Sequence, residues 1–283
     1  MAGAHPVCPA RPNPVGHARI PRRNPPPTHL SGSRYQTSAN PGRFGNHPIT
    51  KSLNHPMLLA VDTSTPQIGV ALYDGARVLA EHLWVSQARH TVELAPMVEK
   101  MLQQTGLAVA ELTGLGVAIG PGSFTSLRVG LSFGKGLAMG RNLPLIGIST
   151  LDVVAAPVAL DKRPLACLLP AGRGRLALGW YHPAELGRGH AHPTGWQAAG
   201  SPRVTNAEEL SASIEQESLV AGDLTASERS LLQNNPLIRL ISPALSTRRP
   251  GVLAELAWNR LAAGQVDDPR SLAPLYLHIG EPL

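Results

Sequence analysis

From residue 57 onward, short apolar runs alternate with turn-forming clusters. Residues 58–61, Leu-Leu-Ala-Val, predict a strand ending in the turn residues Asp62, Thr63, Ser64, Thr65 and Pro66. A second strand over 68–73 runs into Asp74-Gly75, a two-residue hairpin signal, and a third follows over 77–84. Leu94, Val98, Met101 and Leu102 then fall at i, i+4, i+7 and i+8, which sets apolar side chains on one face of a helix over 90–104. Pro96 lies inside that helix and removes one backbone hydrogen bond, so a kink or a start later than His90 is expected.

The pattern continues with a buried strand over 115–119, a Gly-rich turn, a helix over 126–139, a strand over 145–149 and a helix over 151–159. Antiparallel strands followed by alternating helices and strands imply an α/β lobe with a mixed sheet over 57–156. The later half predicts paired strands over 165–169 and 176–181, a helix over 207–216, a strand over 219–221 and an amphipathic helix over 252–263. These read as a second, smaller α/β lobe over 157–283 that includes the C-terminal helix. Short-period internal repeats are absent from the sequence.

Composition changes the picture at the N-terminus. Residues 1–56 hold 11 of the 27 prolines and show neither helical nor strand periodicity, so a disordered extension is expected. Three origins compete: a misplaced start codon upstream of Met57, which the residues favour, a genuine basic tail, or a transit peptide whose prolines oppose an amphipathic helix. The formal charge of +6 suggests nucleic acid. Its location removes the suggestion: 1–56 carry 7 Lys/Arg and no acid, leaving 18 basic against 19 acidic residues elsewhere. Cys8 and Cys167 lie in regions of different character, so a disulfide framework is not expected and a reducing compartment fits. No run reaches the ~20 apolar residues of a membrane helix.

The candidate chemistry sits at two strand ends. Gly120-Pro121-Gly122-Ser123-Phe124-Thr125 leads from a strand into a helix, where unpaired N–H groups and the positive dipole end suit an anion. A tight turn capped by Ser123 is the competing and favoured reading. Asp62, with Ser64 beside it, can orient Mg²⁺ and nucleotide phosphates or merely cap a turn. Asp62, Ser64, Gly120, Gly122 and Ser123 are therefore the candidate cofactor-binding residues. Along the following helix Gly130, Gly134 and Ala138 recur every fourth residue, a bare face suited to close approach of another backbone, in this domain or in another subunit. His90 has Leu94 four residues on, so the helical metal pair is missing. His182, His190 and His192 read as solvated loop residues. No metal, Ser/His/Asp or HExxH pattern is legible.

Together, the run 58–65, the His90…Leu94-Ala95-Pro96 helix and Gly120-Pro-Gly-Ser-Phe-Thr…Leu-Arg-Val-Gly…Gly134-Lys-Gly-Leu-Ala138 resemble the TsaB (YeaZ) family. Val220-Ala221-Gly222-Asp223 and the tail 272–277 resemble that family's late landmarks, more loosely. Pro170-Ala171-Gly172-Arg173 departs from the Asp-Ala-Arg-like stretch usual there. The resemblance implies an actin/Hsp70-like (ASKHA) fold of two related lobes. It also implies a cytoplasmic, non-catalytic subunit in the synthesis of N6-threonylcarbamoyladenosine (t6A) at position 37 of tRNAs reading A-starting codons. The partners implied are the catalytic paralogue TsaD, the ATPase TsaE and, when alone, a second copy of the chain; tRNA is met indirectly. No cofactor of its own is implied, though ATP or ADP contact within the complex is. Leu94, Val98, Met101, Leu127, Gly130, Leu131, Gly134 and Ala138 are then expected to form the partner interface. An independent ASKHA-type ATPase or small-molecule kinase is the alternative, and a peptidase, the glycoprotease-like label, a third.

Overall fold

The structure, a computed structural model, describes residues 56–87, 89–184 and 195–277. The expectation of a disordered 1–56, save for Pro56, and the readings of His190 and His192 fall outside them. The first sheet contains β1 (Leu58–Asp62), β2 (Gln67–Tyr73), β3 (Val78–Val85), β4 (Gly114–Gly120) and β5 (Leu145–Ser149), in the order β3-β2-β1-β4-β5. β1, β2 and β3 form an antiparallel meander, and β4 and β5 run parallel to β1. The helices are α1 (His90–Thr105), α2 (Phe124–Arg141) and α3 (Thr150–Ala155).

Every residue of β1 is buried, because the sheet is covered on both faces. The two-residue period of a strand sends Leu59 and Val61 to one side, where they join a core with Leu94, Val98 and Met101 of α1 and Leu131 and Ala138 of α2. Leu58 and Ala60 point the other way and meet Leu253, Ala254, Leu256 and Ala257. α1 begins at His90 with Pro96 inside it rather than starting later.

The second sheet contains β6 (Leu165–Gly172), β7 (Arg175–Pro183), β8 (Trp196–Ala198), β9 (Arg203–Thr205), β10 (Ser218–Gly222) and β11 (Ile238–Leu240). Its order is β11-β10-β6-β7-β8, with β9 also on β7. β6 pairs antiparallel with β7 on one side and parallel with β10 on the other. This is the β1 arrangement repeated: a central strand flanked by an antiparallel hairpin and by two parallel strands. The two lobes therefore share one topology, as the resemblance implied.

The remaining helices are α4 (Ala207–Ser213), α5 (Ala226–Gln233), α6 (Pro243–Ser246) and α7 (Pro250–Ala262). α4 and α5 cover one face of the second sheet through Leu210 and Leu232. The other face receives Leu151, Val154 and Ala155 of α3. The C-terminal helix, expected with the second lobe, lies instead on the first sheet as α7, where its apolar positions fill the side of β1 opposite α1 and α2. Beyond it the chain returns across both lobes. Asp267 N–H donates to Leu145 O at 2.8 Å, Leu272 packs on the first core, Leu275 N–H donates to Ile119 O at 2.7 Å, and Leu277 packs on the second core. Among the described residues no helix is long and apolar enough to cross a membrane.

Candidate functional site

A cavity of about 750 Å³ lies between the lobes. The first lobe contributes Thr65, Pro66, Gly122, Ser123 and Phe124, the second Pro170, Gly172 and Arg175, and the returning C-terminal segment Tyr276 and Leu277. Pro170–Arg173, the stretch that departs from the family pattern, is the end of β6 running into the turn to β7. Gly172, Arg173 and Gly174 all have positive φ there. The rings of Phe124 and Tyr276 lie 4.9 Å apart, and the Arg128 guanidinium sits 5.2 Å from the Phe124 ring centre.

The five candidate cofactor residues come together at the floor of this cleft, and several of their polar groups are taken up by one another or by Thr150 and Arg248. Asp62 Oδ1 accepts from Ser64 N–H at 2.8 Å and from the Ser64 hydroxyl, while Oδ2 accepts from Arg248 Nη1 at 2.5 Å. Ser64 O accepts from Ser123 N–H at 2.7 Å, and a side chain at Gly122 would run into that same carbonyl. Gly120 N–H donates to Thr150 Oγ1 at 3.1 Å; its φ of +105° and the proximity of Leu275 O call for glycine. Ser123 caps α2 by accepting from Ser126 N–H. Gly122 and Ser123 face the cavity, whereas Asp62 and Ser64 are buried beneath it. Sequence reasoning missed Arg248, which no local pattern marks and which lies 186 positions from Asp62.

His90 is buried and its Nε2 lies 3.1 Å from Thr65 O, tying α1 to the β1–β2 turn. Among the described residues no group of three His, Cys, Asp or Glu is placed to hold a metal ion. Cys167 is a buried free thiol in the second core, with its pKa pushed well up by that burial. Tyr181 donates to Asp152 Oδ1 at 2.7 Å, and desolvation raises its phenol.

The expected partner interface needs correction. Leu94, Val98, Met101, Leu127, Gly130, Leu131, Gly134 and Ala138 are all buried inside this chain. A side chain at Gly130 would meet Thr63, which accepts the Gly130 N–H at 3.1 Å, and one at Gly134 would meet Val117. The bare stripe thus admits the chain's own sheet. α2 carries a second small-residue line, Ser132, Gly136 and Gly140, on its exposed side, and a side chain at Gly136 or Gly140 would meet nothing within 4 Å. Between α1 and α2 an open groove is lined by Thr91, Leu94, Ala95, Phe124, Val129 and Phe133 among others. Val92 and Phe124 beside it are 64% and 56% exposed. The same 3.6-residue periodicity contained this face, but the apolar count favoured the buried one.

The duplicated sheets and the cleft between them define a two-lobed α/β protein of the actin/Hsp70-like (ASKHA) class. The profile of the family described as "TsaD: tRNA N6-adenosine threonylcarbamoyltransferase" matches residues 84–278. The tRNA threonylcarbamoyladenosine biosynthesis protein TsaB of Escherichia coli K12 is 40% identical over 98 residues, 35% of this chain and 42% of that protein. Its Bacillus subtilis 168 counterpart is 32% identical over 124 residues, 44% of this chain and 54% of that one. The solved structure of YeaZ from Pseudomonas aeruginosa superposes with a TM-score of 0.62 at 24% identity, over 78% of this chain and 100% of that one, a likeness of fold. The chain spans about half the length of the curated relatives it matches. It belongs to the tRNA N6-adenosine threonylcarbamoyltransferase family, and within it resembles the TsaB proteins.

Proposed function

We propose that the chain acts in tRNA threonylcarbamoylation as a partner subunit. It docks on a TsaD-type catalytic paralogue and supports transfer of the threonylcarbamoyl group to N6 of adenosine 37 in tRNAs reading A-starting codons. The observation that carries this reading is the open α1/α2 face. Apolar Val92, Phe124, Val129 and Phe133 border a groove continued by the bare positions Gly136 and Gly140. Apolar surface of this kind, rimmed by polar residues such as Thr125 and Arg128, suits a protein partner. tRNA is reached through TsaD, a TsaE-type ATPase joins the larger assembly, and a second copy of this chain occupies the face when TsaD is absent. Any ATP or ADP contact arises within the complex.

Gly136→Arg tests the reading, since it fills the open face without touching the chain's own sheet. It is expected to abolish co-purification with the TsaD paralogue and to reduce threonylcarbamoylation in the reconstituted reaction, while the far-UV circular dichroism of the lone chain stays that of wild type. Undiminished TsaD affinity in this variant would move the interface elsewhere.

A further inference from the structure

The fold class implies a metal-bound nucleotide in the interlobe cleft, and Asp62, at the C-terminal end of a central strand, is the carboxylate placed to face its cation. The residues present do not fit that use. Both Asp62 oxygens are engaged, one by Ser64 and the other by Arg248 Nη1 at 2.5 Å. The side chains of Asp62 and Arg248 are 2% and 1% exposed, so the pair is sealed from water. Arg248 Nη2 donates to Thr65 Oγ1 and to Gln67 O at 3.4 Å, which fixes the guanidinium against the β1–β2 turn. Two N–H groups of the loop that would cradle phosphates donate inward, Ser123 to Ser64 O and Gly120 to Thr150 Oγ1, and Pro121 has none to give.

We propose that Arg248 is the resident cation of this site. It stands at Asp62 where the fold would otherwise seat a divalent metal, and so closes the cleft to metal–nucleotide binding. A metal approaching Asp62 would have to displace the guanidinium and then face its charge at short range in a poorly solvated setting. Removing one member of such a pair leaves an uncompensated buried charge. The same pair fastens the α6–α7 connection to the end of β1, joining segments that lie far apart in sequence. This inference stands apart from the partner reading, because it concerns the cleft and not the α1/α2 face.

The test uses the full chain as wild type, Arg248→Met, Arg248→Lys and the double variant Asp62→Asn/Arg248→Met, with Mn²⁺ as probe, alone and with ADP. Wild type is expected to bind no Mn²⁺ by electron paramagnetic resonance and to melt at the same temperature with and without Mn²⁺–ADP. Arg248→Met should melt lower, bind Mn²⁺ and recover part of its midpoint when Mn²⁺ is added. Arg248→Lys should stay metal-indifferent, and the double variant should melt above Arg248→Met and bind no Mn²⁺. If Arg248→Met does not fold, the double variant decides: folded, it supports the pairing, and unfolded as well, it overturns it. Stoichiometric Mn²⁺–ADP binding by wild type that Asp62→Asn abolishes would overturn the proposal outright.

Discussion

Gly130 and Gly136 lie on different faces of α2, one buried and one open, and an added methyl has opposite consequences at the two positions. At Gly130 the new Cβ meets Thr63, a short side chain already held by a 2.6 Å bond to Ser126 O, so neither partner can yield cheaply. Overpacking of that kind costs about 1–3 kcal/mol. It outweighs the roughly 0.5–1 kcal/mol that alanine contributes over glycine in a helix. At Gly136 the methyl meets nothing, and only the helical term remains. Gly130→Ala is therefore expected to lower the urea midpoint and Gly136→Ala to raise it. Equal shifts in one direction would show that the two stripes are not differently packed. The bare face at 130, 134 and 138 was legible in the sequence. Its occupant was not, because a row of small residues records close approach without recording whose backbone approaches.

At the scale of elements, α7 shows where periodicity informs and where it stops. Its apolar positions gave the helix and its buried side. They did not say which sheet it covers, since the segment follows the second lobe in sequence and the amphipathic signal is the same against either. In the structure Leu253 is fully buried in the core shared with Leu58, Ala60 and Ile146 of the first sheet. Leu253→Ala should cost about 2–5 kcal/mol, as deletion of a large buried side chain does where the cavity cannot collapse. The assignment to the first sheet is checked by native-state hydrogen exchange, which should show the loss concentrated in β1 and β4. Loss centred on β6 and β10 would return α7 to the second lobe. β8, β9 and β11 escaped the sequence reading for a different reason: at three residues each they are too short to display a period. α5 escaped it as well, although its start carries a Thr225/Glu228 capping box.

Across the whole molecule, both lobes rest on a central strand flanked alike, and two segments bind them together across the cleft. α3 is one: Val153 faces the core under α7, while Leu151 and Val154 belong to the second lobe. The C-terminal segment is the other. Leu272 is anchored in the first core, the Leu275 N–H bonds β4 at Ile119 O, Tyr276 stacks on Phe124, and Leu277 reaches the second core. Each contact is small, and the segment has no regular structure of its own, so its order depends on all of them together. Removing the ring at Tyr276 takes away the stacking, worth about 0.5–1.5 kcal/mol beyond its area, from a stretch with few other contacts. Local opening free energies are low where contacts are few and exposed, so the effect should be confined to that stretch. Tyr276→Ala is expected to speed amide exchange several-fold in a peptide spanning 272–277, while peptides from β1 and β4 exchange as in wild type. Unchanged exchange across 272–277 would mean that Leu272 and Leu277 hold the segment without the ring. Accelerated exchange in β4 as well would mean that the segment stabilises the first sheet rather than merely resting on it.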